Sequence, residues 1–193
     1  MSTRGAYGFI IDGVEKITYN HCDSYPECLG DNFIEWLKTK TIEELKDIAK
    51  KIELVNERVA TTKEMVDYVQ EFEACNNVVI SATSVSNQTL EDVYCLLRET
   101  QGNFSLLDKG FKYMIDRKDF LYSSLFCEYA YIANLDTGIF EYYEGFSEES
   151  GKGRYNTPES LYDGYYGVAL EAEIPLNKLP VKLSDYIESL NKE

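Results

Sequence analysis

The chain has 193 residues, 44% of them hydrophobic, and its 16 tyrosines and 9 phenylalanines supply ample core material for one domain. Nineteen basic residues against 34 acidic ones give a formal net charge of −15, a field that repels phosphate backbones and disfavours ordinary nucleic-acid binding. No apolar run approaches a membrane span and no basic-then-apolar leader opens the chain, so a soluble, cytoplasmic protein is expected.

In chain order, Gly8 to Asp12 and Val14 to Asn20 read as strands joined by Asp12-Gly13, a hairpin signal because both residues tolerate positive φ. Pro26 and Gly30 punctuate a loop, and Asp31 caps a helix carrying Phe33, Ile34 and Leu37 on one face. Thr41-Ile42-Glu43-Glu44 has capping-box spacing for a helix to about Lys51, and Thr61-Thr62-Lys63-Glu64 opens another with Met65, Tyr68, Val69 and Phe72 in a stripe. Val78 to Ser81 reads as a short buried strand, Thr89 to Arg98 as a helix, and Asp116 to Ser124 as a helix within an ambiguous stretch. Glu128 to Leu135 and Ile139 to Tyr143 flank Asp136-Thr137-Gly138 as a second hairpin. Gly145 to Gly164 is poor in aliphatic residues and reads as a long exposed loop. A strand from Tyr165 to Glu173, a connector from Pro175 to Pro180 and a helix capped by Ser184 finish the chain. The order predicts one α+β domain over 1–193, with a mainly antiparallel sheet of two hairpins plus further strands and several packed helices.

The five cysteines (Cys22, Cys28, Cys75, Cys95 and Cys127) are odd in number, irregularly spaced and without a C-x-x-C pair. They predict reduced thiols and neither a zinc ribbon nor a thioredoxin-like motif.

The sole histidine lies in the densest polar cluster, Tyr19-Asn20-His21-Cys22-Asp23-Ser24-Tyr25-Pro26, just after the first hairpin. His21, Asp23 and Ser24 are too close in sequence to form a working triad, and a pairing of His21 with the remote Cys127 has no supporting pattern. A hydroxyl beside a free amino terminus, at Ser2 or Thr3, is a further route to a nucleophile. No spacing supplies co-ligands for a metal on His21, so neither metal nor cofactor is expected. Asp23-Ser24 can instead form a side-chain turn before Pro26, with Arg4 ion-paired to Asp23. The ligand-binding alternative groups Arg4, Asn20, His21, Asp23 and Tyr25 around a phosphate-containing molecule or nucleotide signal, bound or hydrolysed.

Thr3-Arg4-Gly5, Tyr7-Gly8-Phe9, Lys16, Tyr19-Asn20-His21, Asp23-Ser24-Tyr25-Pro26 and Leu29-Gly30 resemble the opening of a family of small uncharacterised proteins encoded by bacteriophages and prophages. Glu128 to Ile132 and Asn134 to Asp136 resemble that family's second landmark, while Glu27-Cys28 departs from the smaller residues expected before Leu29. The resemblance covers about a third of the chain. It implies a mobile-element product acting in the bacterial host cytoplasm, in a class where small acidic proteins often inhibit immunity, anti-CRISPR proteins among them.

Charge and resemblance together lead to the expectation of a non-catalytic inhibitor. It would bind a host defence protein or nucleoprotein complex by occupying a basic surface. The acidic, tyrosine-rich residues Glu141, Tyr142, Tyr143, Glu144, Glu148, Glu149, Tyr162, Asp163, Tyr165 and Tyr166 are the expected contact surface, since tyrosine gives rigid contact area and carboxylates steer a cationic partner.

Overall fold

The computed structural model describes residues 3–81, 92–161 and 163–190. The first hairpin forms as its turn dictates: β1 (Gly5–Ile11) and β2 (Val14–Asn20) pair antiparallel through Asp12 and Gly13, at φ 51° and 73°. A helical turn at Pro26–Gly30 leads into α1 (Asp31–Lys38), and α2 (Ile42–Lys51) begins with the anticipated capping box. There the Thr41 hydroxyl accepts from the Glu44 N–H while the Glu44 carboxylate accepts from the Thr41 N–H, worth about 1 kcal/mol to the helix. β3 (Glu53–Val55) follows, then α3 (Lys63–Asn76), capped by Thr62. Next come α4 (Val93–Leu96), α5 (Ser105–Asp108), β4 (Tyr113–Ile115), the second hairpin β5 (Tyr129–Asn134) and β6 (Ile139–Glu144), then β7 (Ala169–Pro175) and α6 (Leu183–Leu190).

The fold is α+β. The main sheet runs β2-β1-β5-β6-β7, antiparallel except where β1 and β5 lie parallel and join the two hairpins; β3 and β4 form a small parallel pair. β1 is buried along its whole length because strands flank it on both sides and both sheet faces are covered. On one face Tyr7, Phe9, Tyr131 and Phe140 pack on Phe33, Trp36 and Leu37 of α1, on α2 and on Leu183 of α6. Phe33 stacks on Phe104 with ring centroids 4.8 Å apart. A second cluster gathers Met65, Val69 and Phe72 of α3 with Val93, Leu96, Phe111 and Tyr113. The other sheet face, with Ala6, Ile10, Ile17, Ala130, Ile132 and Tyr143, is covered by Leu121, Tyr155 and Val168, which lie outside the named strands and helices.

Several expectations are corrected. Val78 to Ser81 is not a strand, although Ile80 is buried: the Glu73 carboxylate accepts the Ile80 and Ser81 N–H groups that a strand partner would otherwise take. The helix expected from Thr89 lies partly outside the described residues, and within them it is only α4 followed by a 3-10 turn at Arg98–Thr100. Asp116 to Ser124 forms a 3-10 turn at Lys118–Tyr122, preceded by the unanticipated β4. The last strand begins at Ala169 rather than Tyr165, since Gly167 packs so tightly on Tyr155 that a Cβ there would lie 1.9 Å from the Tyr155 carbonyl. The segment after β6 is not wholly exposed either, because Tyr155 and Thr157 are buried.

Candidate functional site

The amino-terminal cluster is mostly knitted into itself. Asn20 Nδ2 donates to the Ser24 hydroxyl at 2.8 Å and to the Cys22 carbonyl, and the Tyr131 hydroxyl donates to the Ser24 carbonyl at 2.8 Å. Asn20 and Ser24 are buried, so these bonds fold the loop after β2 onto the sheet. His21 Nδ1 lies 2.8 Å from the Tyr19 hydroxyl, and the His21 N–H donates to Gln101. Burial, then the nearby Arg98 and Arg4, hold the His21 imidazole below its ordinary pKa and favour its neutral form.

Asp23 adopts positive φ at an exposed position, and the expected Arg4–Asp23 ion pair is absent among the described residues. The Arg4 guanidinium lies over the Phe126 ring, 5.2 Å from its centroid, and Tyr25 leans on Tyr129. The five residues expected around one ligand therefore divide. Asn20 is internal, Asp23 and Tyr25 are exposed, and Arg4 and His21 lie within electrostatic reach of each other beside Arg98. Cys127 is buried with its thiol raised, chiefly by desolvation, and Thr3 is buried, so neither is an exposed nucleophile; Ser2 lies outside the described residues.

The acidic-tyrosine run separates in the same way. Glu141, Tyr142 and Tyr143 belong to β6 and are buried, which removes them from any contact surface. Their strand is flanked by β5 and β7, so alternate side chains enter both covered faces. Tyr142 enters the helix-covered face, and its hydroxyl donates to Glu144. Glu141 is 3% exposed and takes a bidentate pair from Arg154, at 2.9 and 2.5 Å, plus bonds from Tyr143 at 2.6 Å and Asn134 at 3.0 Å. Burial alone would raise its pKa, but these donors outweigh it and hold the carboxyl below its ordinary value. The Tyr155 hydroxyl donates to Glu15 at 3.0 Å. Arg154 and Tyr155 thus clamp the segment after β6 over the sheet.

Beyond that clamp lies a surface of different character. Glu148, Glu149 and Asp163 are exposed and Tyr165 and Tyr166 half-buried; Tyr162 lies outside the described residues. Glu144 is half-buried at the end of β6. Two further residues of this stretch, not anticipated from the sequence, are exposed and apolar: Phe146, 54% exposed, and Leu161, 58% exposed. Phe146 adopts positive φ, which costs a bulky residue about 1 kcal/mol or more, and the surroundings impose it. Its N–H donates to the Ser124 carbonyl at 2.9 Å, the Ser147 N–H to the Ser124 hydroxyl at 3.0 Å, and the Tyr166 N–H to the Ser147 carbonyl at 2.9 Å. Gly145 makes this approach possible, since a Cβ there would sit 2.1 Å from the Cys127 carbonyl. The Leu161 N–H donates to the Tyr165 carbonyl, next to Tyr166 in sequence. Only the Gly145-Phe146 dipeptide hints at this in the sequence.

Among the described residues, no group of three or more His, Cys, Asp or Glu side chains is arranged to hold a metal ion, and no helix is long and apolar enough to cross a membrane. All five cysteines are unbridged thiols. Comparison with protein families, curated proteins and solved structures found no match to the chain.

Proposed function

We propose that this chain is an acidic binding protein, encoded by a phage or prophage, that inhibits a bacterial immune system by occupying a basic surface of its target in the host cytoplasm. The observation that carries the reading is the ridge around Phe146. Two exposed apolar side chains, Phe146 and Leu161, belong to the same stretch of chain as the exposed Glu148, Glu149 and Asp163, and hydrogen bonds to Ser124 fix the backbone at Phe146 and Ser147. An aromatic anchor within a charged rim is the composition of a protein-binding hot spot, and preorganised backbone lowers the entropy lost on docking. The −15 net charge then selects a cationic partner and speeds encounter with it. A nucleic-acid-binding groove on a defence nuclease offers that surface, and the likeness of the amino-terminal residues to phage proteins supports such a target.

Co-elution with nuclease effector complexes from a bacterial host tests the reading. The native chain is expected to bind with an affinity that falls as salt rises. Phe146→Ala is expected to weaken binding by about 2 kcal/mol, roughly 30-fold, in isothermal titration. Binding that is unchanged by both Phe146→Ala and the pair Glu148→Lys, Glu149→Lys contradicts it.

A further inference from the structure

In a chain with so large an acidic excess, three of the five arginines converge on the end of β2. Arg4, Arg98 and Arg117 all lie within electrostatic reach of the Tyr19 phenol. Arg117 sits over the Tyr19 ring, 5.9 Å from its centroid, and Arg98 over Tyr94 at 5.2 Å. Arg4 covers Phe126, a wall of an open cleft of about 690 Å³ that Phe120 and Arg117 also line. Among the described residues only the Arg117 guanidinium of the three forms a salt bridge, to Glu57; the Arg4 backbone N–H donates to the Glu128 carboxylate and the Arg98 guanidinium to the Tyr94 hydroxyl. Like charges within electrostatic reach of one phenol oppose one another, and ring faces only partly offset that repulsion.

A second observation is independent of the charges. Three buried side-chain polar atoms lack a hydrogen-bond partner among the described residues, and two of them, Arg117 Nε and Gln101 Nε2, belong to this region. Both are N–H donors, and Gln101 is fixed beside the site by accepting the His21 N–H at 2.9 Å. Buried donors without acceptors are costly unless an acceptor arrives from outside.

We propose that the arginines around Tyr19 form a binding site for a mononucleotide-like ligand, the phosphate taken by Arg4, Arg98 and Arg117 and the planar ring lying against Phe126 in the cleft. Guanidinium groups suit phosphate oxygens because they present paired, permanently charged donors. Asp116 and Asp119 line the cleft beside Glu57 and Arg58, where the carboxylates suit the hydroxyl and amino donors of a nucleoside and repel a longer polyphosphate chain. The site differs from the cluster expected from sequence. Arg4 belongs to both, but Arg98, Arg117 and Gln101 come from far along the chain, while Asn20 and Asp23 take no part. Its residues are not those of the Phe146 ridge, so either can fail without the other.

The single histidine makes the test direct. His21 adjoins the arginines, so its imidazole carbon-proton resonance is expected to move saturably when AMP or GMP is added to the full chain. Inorganic phosphate alone is expected to produce a weaker, parallel shift; a response to phosphate equal to that for AMP and GMP overturns the nucleotide assignment. Arg98→Gln and Arg4→Gln are each expected to weaken AMP binding roughly tenfold or more, as losing a charge-assisted bond does, with Arg4→Lys recovering part of it. Glu148→Lys with Glu149→Lys is expected to leave nucleotide binding intact, and circular dichroism confirms that each variant is folded. Absence of a saturable shift at millimolar nucleotide, or affinity unchanged by both glutamine variants in folded protein, overturns the proposal.

Discussion

Strand β6 and the segment that follows it are built from the same letters, yet they occupy opposite environments. Glu141-Tyr142-Tyr143 lies inside the sheet, while Glu148, Glu149 and Asp163 stand in solvent. What separates them is partnership: Arg154, thirteen residues along, supplies the charge that lets Glu141 be buried, whereas Glu148 and Glu149 have no such partner among the described residues. Acidic-tyrosine composition therefore marks both a core strand and an exposed segment. A tyrosine hydroxyl accommodates either, satisfied by Glu141 within or by water outside.

The sharpest way to break that contrast is Glu141→Ala. Removing a buried carboxylate leaves Arg154, Tyr143 and Asn134 without their acceptor, and a loss of about 3 kcal/mol is expected in urea unfolding. A loss below about 0.5 kcal/mol would place Glu141 with the surface acids. Arg154→Ala is expected to cost less in global stability because the guanidinium is partly exposed, and to render the segment around residues 150–160 much more sensitive to limited proteolysis. Equal cleavage in both proteins would show that the clamp does not hold the loop.

Acid sharpens the comparison further. Glu141 and Asp136 both titrate below their ordinary values, the latter chiefly because its carboxylate accepts the Gly13 and Asp12 N–H groups. A depressed carboxyl pKa contributes stability that is present above the unfolded value and lost as pH falls through the folded one. Thermal midpoints are thus expected to fall as pH drops below the unfolded carboxyl values of 4.5 and 3.8, after a smaller loss that begins below the unfolded histidine value of 6.5 because His21 is also held low. In Glu141→Gln the acid-side slope should be shallower. Smallest of all, Glu148→Lys with Glu149→Lys should change stability by less than about 0.5 kcal/mol, since both side chains are exposed.

Local rules carried the parts of the fold that depend on nearby residues. The Asp12-Gly13 hairpin, the Thr41–Glu44 capping box and the second hairpin all follow from spacing within a few residues, while the cap of α3 falls on Thr62, one residue beyond the Thr61–Glu64 spacing. The failures share a cause. β3 and β4 pair residues about sixty positions apart, and the parallel contact of β1 with β5 joins segments separated by more than a hundred. Neither three-residue strand has a length or alternation that sets it apart in the sequence. The site was less legible than the fold. Phe146 is one of nine phenylalanines, and beyond the Gly145-Phe146 dipeptide nothing nearby announces the hydrogen bonds to Ser124 that fix its backbone. Arg98 and Arg117 come to Tyr19, and Gln101 to His21, only through tertiary folding.

The central claim is that the Phe146 ridge captures a cationic protein surface, and a salt series of titrations against a purified nuclease effector complex tests it most directly. Native protein should bind with affinity falling steeply from low to high salt, Phe146→Ala should bind roughly 30-fold more weakly at every salt concentration, and the Glu148→Lys, Glu149→Lys pair should flatten the salt slope. Equal affinity and equal salt slope for all three proteins would contradict the account.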